Sequence, residues 1–330
     1  MSTKQTQKTK RCCSAVLIGV LLATLSAGCS NPAGGNKPSG GSTGGGGTPG
    51  GGGSGTPPAA PFVAGGASLI LSPEELYIRV TAKTADNSPI TVEGCIETEF
   101  QSNVVTMLTI RGKKVIFKGN ITELYFWGNQ LAALNVQGLT ALKKLCCDNN
   151  QLTALNVQGC ASLQELDCYS NQLTALNVQG CASLQELVCY GNRLTSLDVQ
   201  GLTALQTLYC TKNQLTALNV QGLIALRWLA CGGNKLTALD VQGLTALRRL
   251  DCYSNQLTTD AFKKLFTDLP QRQDGDYAEC ILYTEETGVS EGNHKVFSAP
   301  PDLAAAFTDA KNNKKWKMCK SIGALTHIEI

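Results

Sequence analysis

The sequence predicts a β-rich solenoid with a small β cap in front and an α/β cap behind, held at the end of an export leader and a tether. Three observations predict it. A 21-residue unit recurs six times, opened by Leu131, Leu152, Leu173, Leu194, Leu215 and Leu236 and ending at Gln256. Inside each unit, apolar residues alternate with polar ones in two short runs, the period of strands. The first 66 residues differ in composition from everything that follows.

Residues 1–28 carry Lys4, Lys8, Lys10 and Arg11 and no acid, then an apolar run from Ala15 to Leu25, then Ser26-Ala27-Gly28 before Cys29. That is the layout of a signal peptide, too short for a membrane-spanning helix. Without it, the formal charge of +3 falls to about −1, which argues against a polybasic nucleic-acid binder. The small residues before Cys29 resemble a bacterial lipobox, although Ser26 stands where an apolar residue is usual and Leu25 lies one place further out. The resemblance implies that Cys29 becomes an acylated N-terminus. By comparison with Gram-negative lipoproteins, Ser30 after the anchor favours the outer membrane.

Residues 29–66 form the acylated Cys and a Gly/Ser/Pro-rich tether, holding 15 of the 34 glycines and 6 of the 11 prolines. Such a tract cannot bury enough surface to offset its ordering entropy. As a flexible coil of 37 residues it reaches roughly 33 Å, clear of a headgroup layer. Residues 67–109 follow as an N-terminal β cap, with strand-like stretches at 76–81 and 90–96.

The solenoid spans 110–256. Its first coil is the weakest: Ile110, Val115, Ile121, Leu124, Phe126 and Asn129 keep the register while Lys113 stands where Leu is expected. The six regular coils read L-x-x-L-x-V-Q-G-x-x-x-L-x-x-L-x-C-x-x-N-x. Leu163, Leu166 and Cys168 make one extended run, and Leu173, Leu176 and Val178 make the second. Asn171 and Gly180 end these runs, residue types that accept the backbone angles of tight corners. Stacked at the parallel-strand spacing of ~4.8 Å, seven coils extend roughly 34 Å.

The segment L-x-x-L-x-C-x-x-N-x-L, as in Leu163 to Leu173, resembles the hallmark of leucine-rich repeat proteins. More narrowly, the chain is similar to the internalin-J-like bacterial class of 21-residue repeats with a cysteine ladder, and to its nested IRREKO subclass. The resemblance implies a curved, right-handed solenoid whose inner sheet is built from the L-x-x-L-x-C strands. For function it implies only a surface that binds other molecules, adhesion being the family's usual role.

Two columns run through the repeats. Cys147, Cys168, Cys189, Cys210, Cys231 and Cys252 are read as small buried hydrophobes. Parallel side chains in register do not present the ~90° dihedral of a disulfide, and single cysteines 21 residues apart lack metal-ligand pairing, so no metal or cofactor is expected. Cys160 and Cys181 replace Leu in another core column, while Cys146 falls on an outward strand position as a candidate reactive thiol. Asn129, Asn150, Asn171, Asn192, Asn213, Asn234 and Asn255 form the second column, expected to satisfy loop backbone groups that would otherwise be buried unpaired. A Gln column from Gln137 to Gln242 is read as a solvated or turn-bonding ladder.

Packing constrains only inward positions, so partner information lies on outward ones. On the L-x-x-L-x-C strands these collect Tyr125, Trp127, Tyr169, Tyr190, Tyr209, Trp228 and Tyr253, which are five of eight Tyr and two of three Trp. The second run of each coil carries Asn, Asp, Thr and Ala outward and no aromatic. Exposed Tyr and Trp are typical interface anchors, although they also brace strands. Glu165, Asp167 and Glu186 lie midway along this face, with Arg227, Arg248 and Arg249 towards its C-terminal end. The expected partner is therefore an extracellular protein or cell-surface component bound by a monomer, with a glycan stacked on the same aromatics as the alternative.

Catalysis is poorly provided for. Only His294 and His327 exist, with no H-E-x-x-H, G-x-S-x-G or Walker pattern. Cys280 and His294 are the weak candidates for a nucleophile and base in the C-terminal region. The 74 residues after Gln256 are too few for the catalytic domain of leucine-rich-repeat ubiquitin ligases. Residues 257–330 are read as an α/β cap with a helix at 259–269, a strand at 277–283, a helix near 302–311 and a strand near Trp316. Cys95, Cys280 and Cys319 are cap core residues in this reading, and a Cys280–Cys319 disulfide is compatible with it.

Overall fold

The computed structural model describes residues 59–72, 75–323 and 326–330. The leader, Cys29 and most of the tether lie outside the described residues. The fold is a β-solenoid of the leucine-rich-repeat type, capped at both ends.

Its spine is a 12-stranded sheet. β7 (Ile121–Tyr125), β9 (Lys144–Cys146), β11 (Glu165–Asp167), β12 (Glu186–Val188), β13 (Thr207–Tyr209), β14 (Trp228–Ala230) and β15 (Arg249–Asp251) lie parallel, one per coil. Their register is strict: Leu124, Leu145, Leu166, Leu187, Leu208, Leu229 and Leu250 stack in one file. These Leu residues and the Cys ladder point inward and are fully or almost fully buried. The ladder cysteines, Cys160 and Cys181 are free thiols. Burial pushes the thiol of Cys210 up to about 12 and that of Cys181 up to about 11, so neither is a nucleophile at neutral pH.

The Asn column holds successive coils together. Asn171 donates through Nδ2 to the carbonyls of Cys168 in its own coil and Cys147 in the preceding one, both at 3.0 Å. Its Oδ1 accepts the amide of Leu152 at 2.9 Å. The same three bonds recur at Asn192, Asn213, Asn234 and Asn255. The left-handed corner lies one residue earlier than the sequence suggests. Ser170, Lys212 and Ser254 take φ of 49° to 54°, as Gly191 and Gly233 do at 65° to 66°, so Asn171 works through its side chain and not its backbone freedom.

The second run of each coil departs from expectation. Only β8 (Leu131–Asn135) and β10 (Ala154–Asn156) are strands, followed by one isolated bridge between Asn156 and Asn177. In all six regular coils the side chain at this position, from Asn135 and Asn156 at the ends of β8 and β10 to Asp198, Asn219 and Asp240, accepts the amide two residues on. The two strands lie where β1 (Gly66–Leu71) of the N-terminal cap pairs with β8 and β8 with β10. Gln200 and Gln221 reach the next coil's carbonyls through Nε2, so that column bonds turns as well as facing solvent.

At the front, β1 (Gly66–Leu71), β3 (Ile90–Glu93), β4 (Glu99–Phe100) and β6 (Lys114–Lys118) join β8 and β10 in a second sheet. β2 (Tyr77–Thr84) covers the edge of β7 antiparallel, and β5 (Thr106–Thr109) pairs outside it. Phe126, standing in the cysteine slot of the first coil, packs against Phe117 at 5.6 Å between ring centroids. The boundary expected between residues 66 and 67 falls inside β1. Asn135 donates to the Ala60 carbonyl and Ser68 donates to that of Pro61, which ties residues 60–66 to the body.

Behind the last repeat the solenoid continues. α1 (Thr259–Asp268) is capped by Thr258 and leads to β16 (Glu279–Thr284), which pairs parallel with β15. α2 (Pro301–Asn312) leads to β17 (Lys317–Gly323), parallel to β16, and β18 (Thr326–Glu329) closes the edge antiparallel. Two helices thus replace the outer segment of two further coils, and Phe262, Phe266, Phe297 and Phe307 fill the end with ring centroids 5.1–5.6 Å apart. Asn293 extends the Asn column, donating to Cys252 and Leu282 and accepting from Leu257. Cys280 and Cys319 are buried free thiols, so the compatible disulfide is not formed. Among the described residues no helix is long and apolar enough to cross a membrane.

Candidate ligand-binding face

The outward side chains of the parallel strands form three files. The strand register aligns Glu123, Lys144, Glu165, Glu186, Thr207, Trp228, Arg249 and Glu279 in the first. The second aligns Tyr125, Cys146, Asp167, Val188, Tyr209, Ala230, Asp251 and Ile281. Just beyond the strands come Trp127, Asp148, Tyr169, Tyr190, Thr211, Gly232 and Tyr253. The face has three zones with different electrostatics.

At the N-terminal end every charge has a partner. Lys83 pairs with Glu123 at 3.2 Å, the Tyr125 hydroxyl donates to Glu123 at 2.6 Å, and the Arg79 guanidinium sits 4.5 Å over the Trp127 ring. Arg79 and Lys83 belong to β2, so the cap prolongs the face. Their place was hidden in the sequence because β2 pairs antiparallel outside the 21-residue register.

The C-terminal end is likewise neutralised. Arg249 pairs with Asp251 at 3.1 Å and with Glu279 at 2.5 Å, and His327 from β18 lies 3.8 Å from Glu279. His327 and Arg249 hold the Glu279 carboxyl down at about 2. Two of the three arginines expected to cluster here carry an acidic partner. Arg249 is locked into the sheet, Arg248 pairs with Asp276 at 3.1 Å, and Arg227 is exposed beside Trp228 in sequence, where its carbonyl accepts the amides of Arg248 and Arg249. Tyr253 is seated over Gly232, where an added Cβ would meet its ring at 3.0 Å.

The middle zone differs. Tyr169 and Tyr190 stack with ring centroids 4.6 Å apart and planes inclined by 7°. Asn149 donates to the Tyr169 hydroxyl at 3.0 Å and to Asp148 Oδ2 at 2.8 Å. Lys144 pairs with Glu165 at 2.6 Å, but among the described residues no basic side chain pairs with Asp148, Asp167 or Glu186. Burial pushes all three carboxyls up, Glu186 to about 7, and Asp167 is raised further by Asp148 beside it. The face is also less open than the sequence implies. Tyr169 is 7% exposed, Asp167 3% and Cys146 fully buried, against 36% for Trp228. Cys146, expected as an outward reactive thiol, is fully buried and disulfide-bonded, so that expectation does not hold.

Cys280 and His294 do not form a pair. Cys280 lies in β16 in the core, while His294 hydrogen-bonds the Val296 carbonyl and packs edge-on against Phe297. Among the described residues no group of three or more His, Cys, Asp or Glu is placed to hold a metal ion.

No protein-family model and no curated protein matches the chain. Among solved structures, it is similar to the functional domain of InlJ from Listeria monocytogenes, which includes a cysteine ladder, at 27% identity over 50% of this chain and 45% of that one, with a TM-score of 0.41. A leucine-rich repeat protein of Leptospira interrogans shares 28% identity over 55% of this chain and 43% of its own, with a TM-score of 0.42. An internalin from Listeria monocytogenes shares 23% over 44% of each chain, with a TM-score of 0.32. The likeness thus covers about half of this chain and less than half of each of the others.

Proposed function

We propose that this chain is an exported bacterial lipoprotein, anchored through Cys29 to the outer membrane or cell surface, whose inner face binds an extracellular protein or a component of another cell's surface in adhesion. The observation that carries this reading is the division between the two runs of each coil. Aromatic and charged side chains collect on the inner sheet, while the outer turns spend their polar side chains on their own backbone. Trp228, Tyr209, Tyr190 and Tyr253 offer large contact area at low conformational cost. Stacking of Tyr169 on Tyr190 leaves the outer face of each ring for a partner, and a glycan stacked on the same aromatics is the alternative.

Replacing Tyr190, Tyr209 and Trp228 together by Ala in the full chain is expected to abolish attachment to the target surface while leaving the thermal unfolding cooperative. Undiminished attachment would contradict the reading. Protease treatment of the target separates the partners, since a glycan ligand would survive it. Mass spectrometry of the mature N-terminus tests the anchor, and an unacylated start at another residue would refute it.

A further inference from the structure

Among the described residues, the middle of the inner face is an acidic site without its counter-charge. Towards both ends each acid has a base: Lys83 for Glu123, Lys144 for Glu165, Arg249 for Asp251 and Glu279. Asp148, Asp167 and Glu186 break that pattern. Asp148 is only 4% exposed, and among the described residues its Oδ1 has no hydrogen-bond partner, while the carboxyl otherwise accepts from Asn149 and the Tyr169 hydroxyl. Asp167 is as deeply buried, and among the described residues its carboxylate has only a long 3.4 Å contact from the Tyr169 amide. A buried carboxylate left unpaired costs several kcal/mol unless it binds a proton or meets a cation.

We propose that this stretch, from β9 to β12, receives a cationic side chain of the partner protein, an arginine or lysine seated on Asp148, Asp167 and Glu186 beside the Tyr169–Tyr190 stack. The proposal rests on the reading that this face binds a protein, and it names the chemistry of that partner as a basic segment. A guanidinium fits best. Its planar fork can satisfy two carboxylate oxygens at once, and it lies well against aromatic faces. A metal ion would need ligands converging on one point, and none converge among the described residues. Facing these groups are Lys144 and Glu165 on the neighbouring strands, Thr207 beyond Glu186, and the hydroxyl of Tyr169. Lys144 is already engaged by Glu165, so the site keeps its deficit. Because burial favours the protonated carboxyls, an arriving cation displaces protons, and binding should tighten as pH rises.

The test uses the full-length protein in detergent, titrated with a tetra-arginine peptide and with its neutral tetra-citrulline counterpart at pH 5 and pH 8. The tetra-arginine peptide is expected to bind at least about 10-fold more tightly than the citrulline peptide, and more tightly at pH 8 than at pH 5, a ratio equal to about 1.4 kcal/mol. The carboxamide variant Asp148→Asn/Asp167→Asn/Glu186→Gln keeps the shape of the site and should lose that preference, with its unfolding at pH 5 unchanged. Equal binding of the two peptides, no binding of either, or an undiminished preference in the variant would overturn the proposal. Partner attachment separates the two levels. If the carboxamide variant attaches normally while the Tyr190, Tyr209 and Trp228 variant does not, the cation site falls and the binding face stands. If neither variant loses attachment, the face itself is the wrong surface.

Discussion

The inner and outer faces of each coil come from one 21-residue unit and reach opposite solutions. On the inner face, backbone amides and carbonyls bond from coil to coil, so the side chains are released from that work and differ at every level: Lys144, Glu165, Glu186, Thr207, Trp228, Arg249. On the outer face the side chains themselves close the turns. Asp198, Asn219 and Asp240 each accept an amide two residues on, and the unit stays nearly constant from coil to coil. Where the backbone satisfies itself, side chains are available for recognition.

The most severe way to break this contrast is to remove a side chain that the backbone depends on. Asn192→Ala would leave the amide of Leu173 unpaired in the core and take one of two donors from each of the carbonyls of Cys168 and Cys189, which keep Asn171 and Asn213, an expected loss of about 2–4 kcal/mol. Asn219→Ala, on the exposed outer turn, removes one bond to Gln221 and should cost less than about 1 kcal/mol. Denaturant unfolding of the two variants measures the difference directly.

A smaller effect is expected in the cysteine ladder. Cys189→Ser places a hydroxyl in a wholly apolar slot and should cost about 1–3 kcal/mol. In the native chain the ladder thiols should resist a thiol reagent until the protein unfolds, since burial drives their ionisation well above the physiological range.

The middle acids make a milder change that depends on pH. Asp148, Asp167 and Glu186 hold protons more tightly folded than unfolded, so the native chain binds more protons and stability falls as pH rises from the ordinary carboxylate range through about 7. The variant Asp148→Asn/Asp167→Asn/Glu186→Gln should flatten that slope and raise Tm at pH 8 by about 2–4 °C, corresponding to about 1 kcal/mol. Thermal melts between pH 4 and pH 8 check both slope and sign. Least of all, Lys212→Gly relieves a left-handed residue at φ 54°, at a corner where Gly191 and Gly233 already stand, and should gain about 0.5–1 kcal/mol in the same unfolding assay.

The coil, its inward leucines and both columns were legible in the amino-acid sequence, because a strict period leaves one way to stack them. What the repeat hid follows from where the period stops. Glu279 and His327 join the face through β16 and β18, but the step from Arg249 to Glu279 is 30 residues and carries a helix, which erases the 21-residue register. Asn293 continues the Asn column from a loop, which no spacing rule anticipates. The burial of Tyr169 and Asp167 was hidden for another reason. Alternation assigns a side to each residue, whereas exposure on a close-packed sheet depends on the size of the neighbours at ~4.8 Å. The outer turns read as strands because Leu-Thr-Ala-Leu-Asn-Val alternates, but the ladder extends only from β1 of the cap to β8 and β10, a pairing the repeat does not encode.

The central claim is that recognition belongs to the inner face, and a paired-face experiment tests it most directly. Two full-length variants would be displayed on cells and scored for attachment: Tyr190→Ala/Tyr209→Ala/Trp228→Ala on the inner sheet, and Thr174→Arg/Thr195→Arg/Thr216→Arg on exposed outer positions. Attachment should be lost in the first and retained in the second. Retention in the first with loss in the second would place the binding surface on the outer turns and contradict the account.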